Sequence, residues 1–197
     1  AVLVRREREL RGPDGPRLDA LVLPGGESGA QDRLLRRWDL VEPVRRLIGD
    51  GLPTLGTCAG LILLAREVHD PAPEQQGWGL LDVAVRRNAI GSQVASSEAE
   101  FRVHAAGVAG AGAGGAVRGA LIRAPEIVDV GPGARPIVAH GGRILGATSA
   151  TPGDRDHSEE SASEPTRTPL GSLTGIAFHP ELCGDPAFHR ALLARVR

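Results

Sequence analysis

The chain is poor in cysteine, aromatic residues and methionine. Its 197 residues include two cysteines, three phenylalanines and two tryptophans, with no methionine and no tyrosine. Two cysteines cannot form a disulfide framework, so we expect a reducing compartment, in which a lone cysteine is either buried packing or a nucleophile. Because even an initiator methionine is missing, we also expect that the numbering does not begin at a natural start.

The chain also lacks a strong charge of either sign and any long apolar run. Lysine and arginine number 23 against 24 aspartates and glutamates, for a formal net charge of -1. This balance excludes the basic footprint of a nucleic-acid-binding protein. No apolar run approaches the roughly 20 residues that cross a bilayer, and no leader precedes the first segment. We therefore expect a cytoplasmic protein with neither a nucleic acid nor a membrane as its partner.

Short apolar runs alternate with amphipathic stretches along the chain. This alternation predicts an α/β fold with a doubly wound, mostly parallel sheet and helices on both faces. One or two helices are expected over 31–49, adjusted around Pro43, with another from residue 61 and a last one over 185–196. Strands are expected at 20–23, 52–55, 80–87, 119–123, 136–140, 143–148 and 173–178.

The length fits one domain over 1–197, with two interruptions. Residues 105–116 are nearly all Ala and Gly, which predicts a flexible loop. Residues 151–169 are rich in Ser, Thr, Pro, Asp and Glu and offer almost nothing to bury, which predicts a disordered insertion.

A candidate nucleophile lies between an apolar strand and an apolar helix, in the sequence Gly-Thr-Cys-Ala-Gly at 56–60. Glycines at 56 and 60 permit a tight turn that projects Cys58 outward. The helix N-terminus favours the thiolate, and the Ala59 N–H would face an oxyanion formed on an attacked carbonyl. A buried structural cysteine is the alternative, and the motif alone does not decide between the two.

A candidate base and its partner follow a hydrophobic strand, in the sequence Phe-His-Pro-Glu at 178–181. His179 and Glu181 are two residues apart, so in extended backbone they lie on the same side of the chain. A histidine that reaches Cys58 while a carboxylate holds its other nitrogen is the logic of a catalytic triad. The alternative is a surface histidine beside a helix-capping glutamate. The remaining histidines have no such setting: His69, His104, His140, His157 and His189.

The third candidate segment is Pro-Gly-Gly-Glu-Ser at 24–28, directly after a buried apolar run. Backbone N–H groups at Gly25 and Gly26 can approach a ligand closely and supply a second oxyanion donor. Glu27 and Ser28 are candidates for binding the ammonium and carboxylate groups of an amino acid. An ordinary strand-to-helix loop is the alternative, and neither phosphate-binding glycine motif is present.

Together these segments resemble the class I glutamine amidotransferases, and more narrowly the glutaminase subunits of pyridoxal 5′-phosphate synthases. The narrower resemblance rests on four motifs that occur in the family's order along most of the chain. They are G-T-C-A-G-L-I-L-L-A at 56–65, R-N-A-I-G at 87–91, R-G-A-L-I-R-A-P at 118–125 and F-H-P-E-L at 178–182.

The resemblance implies a flavodoxin-like fold and a glutaminase. Cys58 would form a glutamyl thioester, His179 would carry the proton and Glu181 would orient His179. Backbone N–H groups of Gly26 and Ala59 would form the oxyanion hole. The L-glutamine site would consist of Gly26, Glu27, Ser28, Arg87, Ile122 and Arg123. Ammonia would pass to a partner synthase subunit, a (β/α)8 barrel, and neither a cofactor nor a metal ion is expected in this chain.

Three departures from the family pattern accompany the resemblance. The family opens with a strand followed by L-Q-G and a helix, whereas Ala1–Val4 look like its second strand, so the first strand is expected to be missing. The insertion at 151–169 has no counterpart. Gly29 and Ala30 replace hydroxyl residues, which predicts a weakened helix cap. Two alternatives remain open, namely an amidotransferase that serves another synthase and a truncated, inactive paralogue that binds a partner.

Overall fold

The computed structural model describes residues 1–12, 15–16, 18–90, 97–108, 115–150 and 168–196. Four α-helices lie within these ranges, and none of them is long and apolar enough to cross a membrane. They are α1 (Ser28–Arg37), α2 (Val41–Gly49), α3 (Ala59–Leu64) and α4 (Ala187–Leu193), with 3-10 turns at Glu7–Glu9 and Glu181–Cys183.

Fourteen strands are found in the described residues. In chain order they are β1 (Arg11–Gly12), β2 (Gly15–Pro16), β3 (Leu21–Leu23), β4 (Thr54–Thr57), β5 (Ala65–His69), β6 (Leu81–Ile90), β7 (Ser97–Arg102), β8 (Ala105–Ala106), β9 (Ala116–Leu121), β10 (Ala124–Val130), β11 (Ala134–His140), β12 (Arg143–Ser149), β13 (Thr168–Pro169) and β14 (Leu173–Ile176).

An eight-stranded sheet forms the centre of the fold. Its order is β3-β4-β14-β12-β10-β6-β5, and β11 pairs with β12. The strands β3, β4 and β14 are mutually parallel, and so are β5 and β6, as the predicted α/β fold requires. The joins of β12 with β14 and of β10 with β12 and β6 are antiparallel. Three further pairs, β1-β2, β7-β9 and β8-β13, complete the strand content of the described residues.

Helices cover both faces of the parallel part, as predicted. A Cβ on Gly56 of β4 would meet Gly60 and Leu64 of α3, so this side of the strand faces α3. The side chain of the preceding residue, Leu55, points to the opposite face of the sheet. There it lines a small cavity with Phe188 of α4. The central sheet is therefore buried between helices at the point where β4 ends.

The apolar stretch at 31–49 forms two helices, one of the two arrangements predicted. α1 ends at Arg37, and α2 begins at Val41, so Pro43 occupies the first turn of α2, where its missing N–H costs no helical hydrogen bond. The chain turns between the helices, and Trp38 is 51% exposed as a result. Leu34 is 45% exposed and also lies outside the core.

Residues Ala1–Val4 are not a strand. They have no paired neighbour in the structure, and Val2 and Leu3 are 74% and 73% exposed. The first strand of the central sheet is β3, which pairs with β4 on one side and has no second partner among the described residues. Val22 is 38% exposed and Leu23 is buried, so the apolar run at 20–23, which was expected to be buried, is covered on one face only.

The ends of the two predicted flexible segments belong to the fold. In the segment 105–116, Ala105–Ala106 form β8, and Ala105 and Val108 are buried. In the segment 151–169, Thr168–Pro169 form β13, which pairs with β8. Small side chains permit this burial, and residues 109–114 and 151–167 lie outside the described ranges. At the C-terminus, Leu193 faces solvent rather than the core because α4 ends there.

Candidate active site

The three candidate segments meet at one edge of the central sheet. In the parallel register Leu23 lies beside Gly56, and Thr57 lies beside Ile176. The carboxyl ends of β3, β4 and β14 are therefore level with one another. The Pro-Gly-Gly loop, the nucleophile turn and the Phe-His-Pro-Glu segment each follow one of these strands, which is why distant parts of the sequence converge here.

Cys58 occupies a strained turn between β4 and α3. Its backbone has φ 49° and ψ -99°, a combination that L-residues rarely adopt. The Cys58 N–H donates to the Ile176 carbonyl at 2.8 Å, so the end of β14 holds the turn in place. Ala59 is the first residue of α3, and the first N–H groups of a helix have no intrahelical acceptor. The turn therefore brings a sulfur atom and the first backbone N–H of a helix together.

His179 lies between Cys58 and Glu181. Its Nδ1 is 2.8 Å from Glu181 Oε1, and its ring interacts with the Cys58 side chain. The contact with Cys58, and to a smaller extent that with Glu181, raises the pKa of His179 from 6.5 to about 9, although burial opposes the shift. Burial raises the pKa of the Glu181 carboxyl, but the hydrogen bond from His179, the Glu181 backbone N–H and the charges of His179 and His189 together bring that pKa below its usual value. The imidazole is thus held in its protonated form at neutral pH.

The backbone and the preceding side chain fix the position of His179. Its N–H donates to the Ala120 carbonyl at 2.9 Å, and its own carbonyl accepts from the Ala120 N–H at 3.0 Å. Phe178 stacks on Phe101 with a centroid distance of 4.3 Å and meets Phe188 edge-on at 5.9 Å. All three phenylalanines of this aromatic-poor chain therefore hold the strand that carries the histidine.

The Pro-Gly-Gly-Glu-Ser loop contacts the imidazole directly. A Cβ on Gly25 would lie 2.0 Å from His179 Cε1, so only glycine allows this approach. Ser28 is buried, and its hydroxyl has no hydrogen-bond partner in the described part of the chain. The loop thus places the Gly25 backbone against the histidine and carries one buried, unpaired hydroxyl.

Glu27 caps the helix that follows this loop. Its carboxylate accepts from the N–H groups of Gly29 at 3.0 Å and Ala30 at 2.5 Å. The predicted weakening of the cap is therefore wrong, because Glu27 rather than a following hydroxyl residue supplies it. Gly29 has a packing role here, since a Cβ at this position would lie 2.6 Å from the Ala72 Cβ.

Arg87 forms an ion pair with Glu27, and both are predicted to belong to the glutamine site. Its Nη2 donates to Glu27 Oε1 at 2.9 Å, and its Nη1 donates to the Asp70 carbonyl at 3.4 Å. Burial raises the pKa of Glu27, but the backbone N–H groups of the cap and the Arg87 charge bring it below its usual value. The contact with the Asp70 carbonyl was not predictable, because any residue type can supply a backbone acceptor.

Ile122 and Arg123 lie in the turn between β9 and β10. They follow Ala120, which forms backbone hydrogen bonds with His179, by two and three residues. Arg123 has φ 43° and Asn88 has φ 50°, so two of the predicted substrate-binding segments have left-handed backbone. The β6 and β10 strands shift register between Ile90 and Arg86, and Asn88 lies in this bulge. Both segments therefore leave the regular ladder close to the same corner of the sheet.

Comparison with known proteins shows the family of the chain. Residues 3–151 match the model of the SNO glutamine amidotransferase family. The chain belongs to this family. Membership identifies the chain as a glutamine amidotransferase, an enzyme class that hydrolyses glutamine, and the predicted family resemblance is confirmed.

Similar proteins cover almost the whole chain. One from Clavibacter sepedonicus, named pyridoxal 5′-phosphate synthase subunit PdxT, is 42% identical over 193 residues, which are 97% of this chain and 79% of that protein. A protein of the same name from Kineococcus radiotolerans is 42% identical over 197 residues, which are 100% of this chain and 83% of that protein. A crystal structure of a glutamine amidotransferase has a TM-score of 0.75 at 32% identity and covers 100% of this chain and 86% of its own.

Proposed function

We propose that the chain hydrolyses L-glutamine to L-glutamate and ammonia with a triad of Cys58, His179 and Glu181. We further propose that it supplies the ammonia to the (β/α)8-barrel subunit of a pyridoxal 5′-phosphate synthase. The observation that carries the chemistry is the unbroken contact from the Cys58 sulfur through the His179 ring to the Glu181 carboxylate.

In the first half of the reaction, the Cys58 thiolate attacks the side-chain amide carbon of glutamine. The protonated His179 ring, with its pKa raised to about 9, gives its proton to the departing nitrogen, and ammonia leaves. The product at this stage is a glutamyl thioester on Cys58. Glu181 keeps the imidazole oriented through the bond at 2.8 Å.

In the second half, His179 takes a proton from water as the water oxygen attacks the thioester carbon. The C–S bond breaks, glutamate leaves and the thiolate is restored beside the imidazolium. The balance is glutamine plus water to glutamate plus ammonia. Both halves pass through an oxyanion, for which Ala59 and Gly26 are the proposed backbone N–H donors.

The same loops suit the α-amino acid end of glutamine. Ser28 has a buried hydroxyl that needs a partner, which a polar group of the substrate would supply. Glu27 is held ionised by the α1 cap and by Arg87, as an acceptor for an ammonium group must be. We assign the substrate carboxylate to Arg123, with Ile122 beside it, because a guanidinium binds carboxylates in two-point geometry.

The partner is proposed from the similar proteins. Those from Clavibacter sepedonicus and Kineococcus radiotolerans are both named as subunits of pyridoxal 5′-phosphate synthase, and each is 42% identical to this chain. Identity of this extent over nearly the whole chain supports the same assembly here rather than an amidotransferase for another synthase.

The test measures ammonia release from L-glutamine by the chain alone and after addition of a pyridoxal 5′-phosphate synthase barrel subunit. We expect release that rises with the barrel subunit and falls to background in Cys58→Ala. Cys183→Ala is the matched control, because it removes the second of the two cysteines, whose sulfur lies near Glu98 and Arg118. The control should retain near wild-type turnover.

The outcomes separate the alternatives. Turnover that survives in Cys58→Ala would refute the assigned nucleophile. Turnover that ignores the barrel subunit would leave the glutaminase in place and remove the proposed partner. A folded wild-type chain with no turnover under either condition would favour the inactive, partner-binding alternative.

A further inference from the structure

Gln31 lies in the first turn of α1, and its side chain reaches back over the preceding loop. Its Nε2 donates to the carbonyl oxygens of Pro24 at 3.2 Å and Gly25 at 3.1 Å. A Cβ on Gly26 would lie 3.0 Å from the same nitrogen. The amide of Gln31 therefore covers one side of the loop, and its two N–H groups suffice for both carbonyls.

The Gly25 carbonyl and the Gly26 N–H belong to one rigid peptide group. No cis peptide bond occurs in the described residues. In a planar trans peptide the C=O and N–H bonds point in opposite directions. By holding the Gly25 oxygen, Gln31 thus directs the Gly26 N–H away from itself.

This peptide has little else to fix its orientation. Glycine on both sides lets the group rotate with small steric cost, and Gly26 already has φ 140°. Gly25 is held between the amide of Gln31 and the ring of His179, which its Cα approaches closely. A rotated peptide would present a carbonyl oxygen where a donor is needed, and it would repel a developing negative charge.

We propose that Gln31 is a positioning residue that keeps the Gly26 N–H available as an oxyanion donor. The inference rests on the proposed glutaminase function, because only a reaction that passes through an oxyanion needs this donor. It also goes beyond the motif residues, since Gln31 lies outside the Pro-Gly-Gly-Glu-Ser segment and contacts it through a folded-back side chain.

Two variants test the role. Gln31→Leu removes both donors at similar size, and Gln31→Glu replaces the amide nitrogen with an acceptor that favours the rotated peptide. Loss of one oxyanion donor lowers kcat by about 10²- to 10³-fold. We expect a decrease of at least about 10-fold for Gln31→Leu and a larger one for Gln31→Glu, each with little change in KM for glutamine. Arg37→Leu, an exposed change on the same helix, is the matched control.

A second measurement separates positioning from damage to the pocket. Iodoacetamide alkylates a thiolate by displacement at a saturated carbon, which forms no oxyanion. The alkylation rate of Cys58 should therefore stay at the wild-type value in both Gln31 variants while ammonia release falls. Barrel subunit is present in every turnover assay.

The results divide as follows. Lower turnover with unchanged alkylation supports the inference. Unchanged turnover in both variants, a rise in turnover in Gln31→Glu, or an equal fall in turnover and alkylation would overturn it. A wild-type chain without turnover would instead refute the proposed function, and the inference with it.

Discussion

Gly25 contacts the imidazole so closely that the position has no room for a methyl group. A Cβ there would lie 2.0 Å from Cε1 and 2.8 Å from Nδ1 of His179. The backbone of Gly25 does not require a positive φ, unlike that of Gly26, so alanine can adopt it. Gly25→Ala is thus a steric probe of the distance between the loop and the histidine.

The magnitude follows from the overlap. Ordinary van der Waals contact begins at 3.4 Å, so either the ring or the loop would have to retreat by about 1.4 Å. Movement of the ring would strain its bond of 2.8 Å to Glu181 and its contact with Cys58. Movement of the loop would displace the Gly26 N–H. Since a misplacement of about 1 Å costs about 10²-fold in rate, we expect kcat to fall by at least about 100-fold.

The assay is ammonia release from glutamine with the barrel subunit present, together with thermal unfolding of each variant. Gly49→Ala is the matched control, because a Cβ there meets nothing within 4 Å. The control should keep full activity and wild-type or slightly higher stability. Gly25→Ala with more than half of the wild-type kcat and an unchanged KM would refute the reasoning that the loop presses on the imidazole.

Three further changes have defined outcomes. The fall of kcat/KM at high pH should be centred near pH 9, where His179 loses its proton, and Glu181→Gln should shift this fall to lower pH because the Glu181 carboxylate helps to raise the pKa of His179. A pH profile that is the same in Glu181→Gln and wild type would exclude His179 as the titrating group. Arg87→Lys should raise KM for glutamine by about 10-fold with a smaller effect on kcat, since lysine cannot make both contacts of the guanidinium. Steady-state kinetics that show a lower kcat with an unchanged KM would contradict this role of Arg87. Gly60→Ala should lower the free energy of unfolding by about 1–3 kcal/mol or more, measured with denaturant, because the added carbon would lie 2.1 Å from a backbone oxygen of β3. A variant as stable as wild type would contradict this close packing of α3 on β3.

The site was predictable because its residues follow short apolar strands. Each of the three motifs begins where an apolar run ends, and parallel strands bring such ends together at one edge. Glycine spacing identified the turn at Cys58, and the spacing of two residues identified the pair of His179 and Glu181. None of these inferences required knowledge of the strand order.

Three strands, β5, β7 and β10, were less predictable, because they are not apolar runs. β10 contains Pro125, Glu126 and Asp129, and β5 contains charged residues directly after α3, so neither has a simple period. Ion pairs that form only in the fold accommodate these charges. Arg143 binds Glu126 at 2.7 Å, and Arg66 binds Asp129 at 2.6 Å. Charge pairing between distant strands carries no local signal, so β5, β7 and β10 were missed.

Two contacts that hold the Pro-Gly-Gly-Glu-Ser loop and its neighbour Arg87 were missed for the same reason, because they also carry no local signal in the sequence. Gln31 and the Asp70 carbonyl act through geometry that depends on where a helix and a strand end. Sequence patterns describe which side chains are apolar and which are chemically competent. They do not describe which carbonyl an amide will reach after the chain has turned back on itself.

Backbone strain is concentrated at the candidate site. Cys58, Asn88 and Arg123 are three of the six described non-glycine residues with positive φ, and each lies where a strand ends, bulges or turns. Of the three, Cys58 is buried, whereas Asn88 and Arg123 are exposed. Such conformations cost about 1–3 kcal/mol each and persist only when the surroundings fix them. The buried interior of β4, β6 and β10 supplies that rigidity, so the packing of the sheet is a condition for the geometry of the triad.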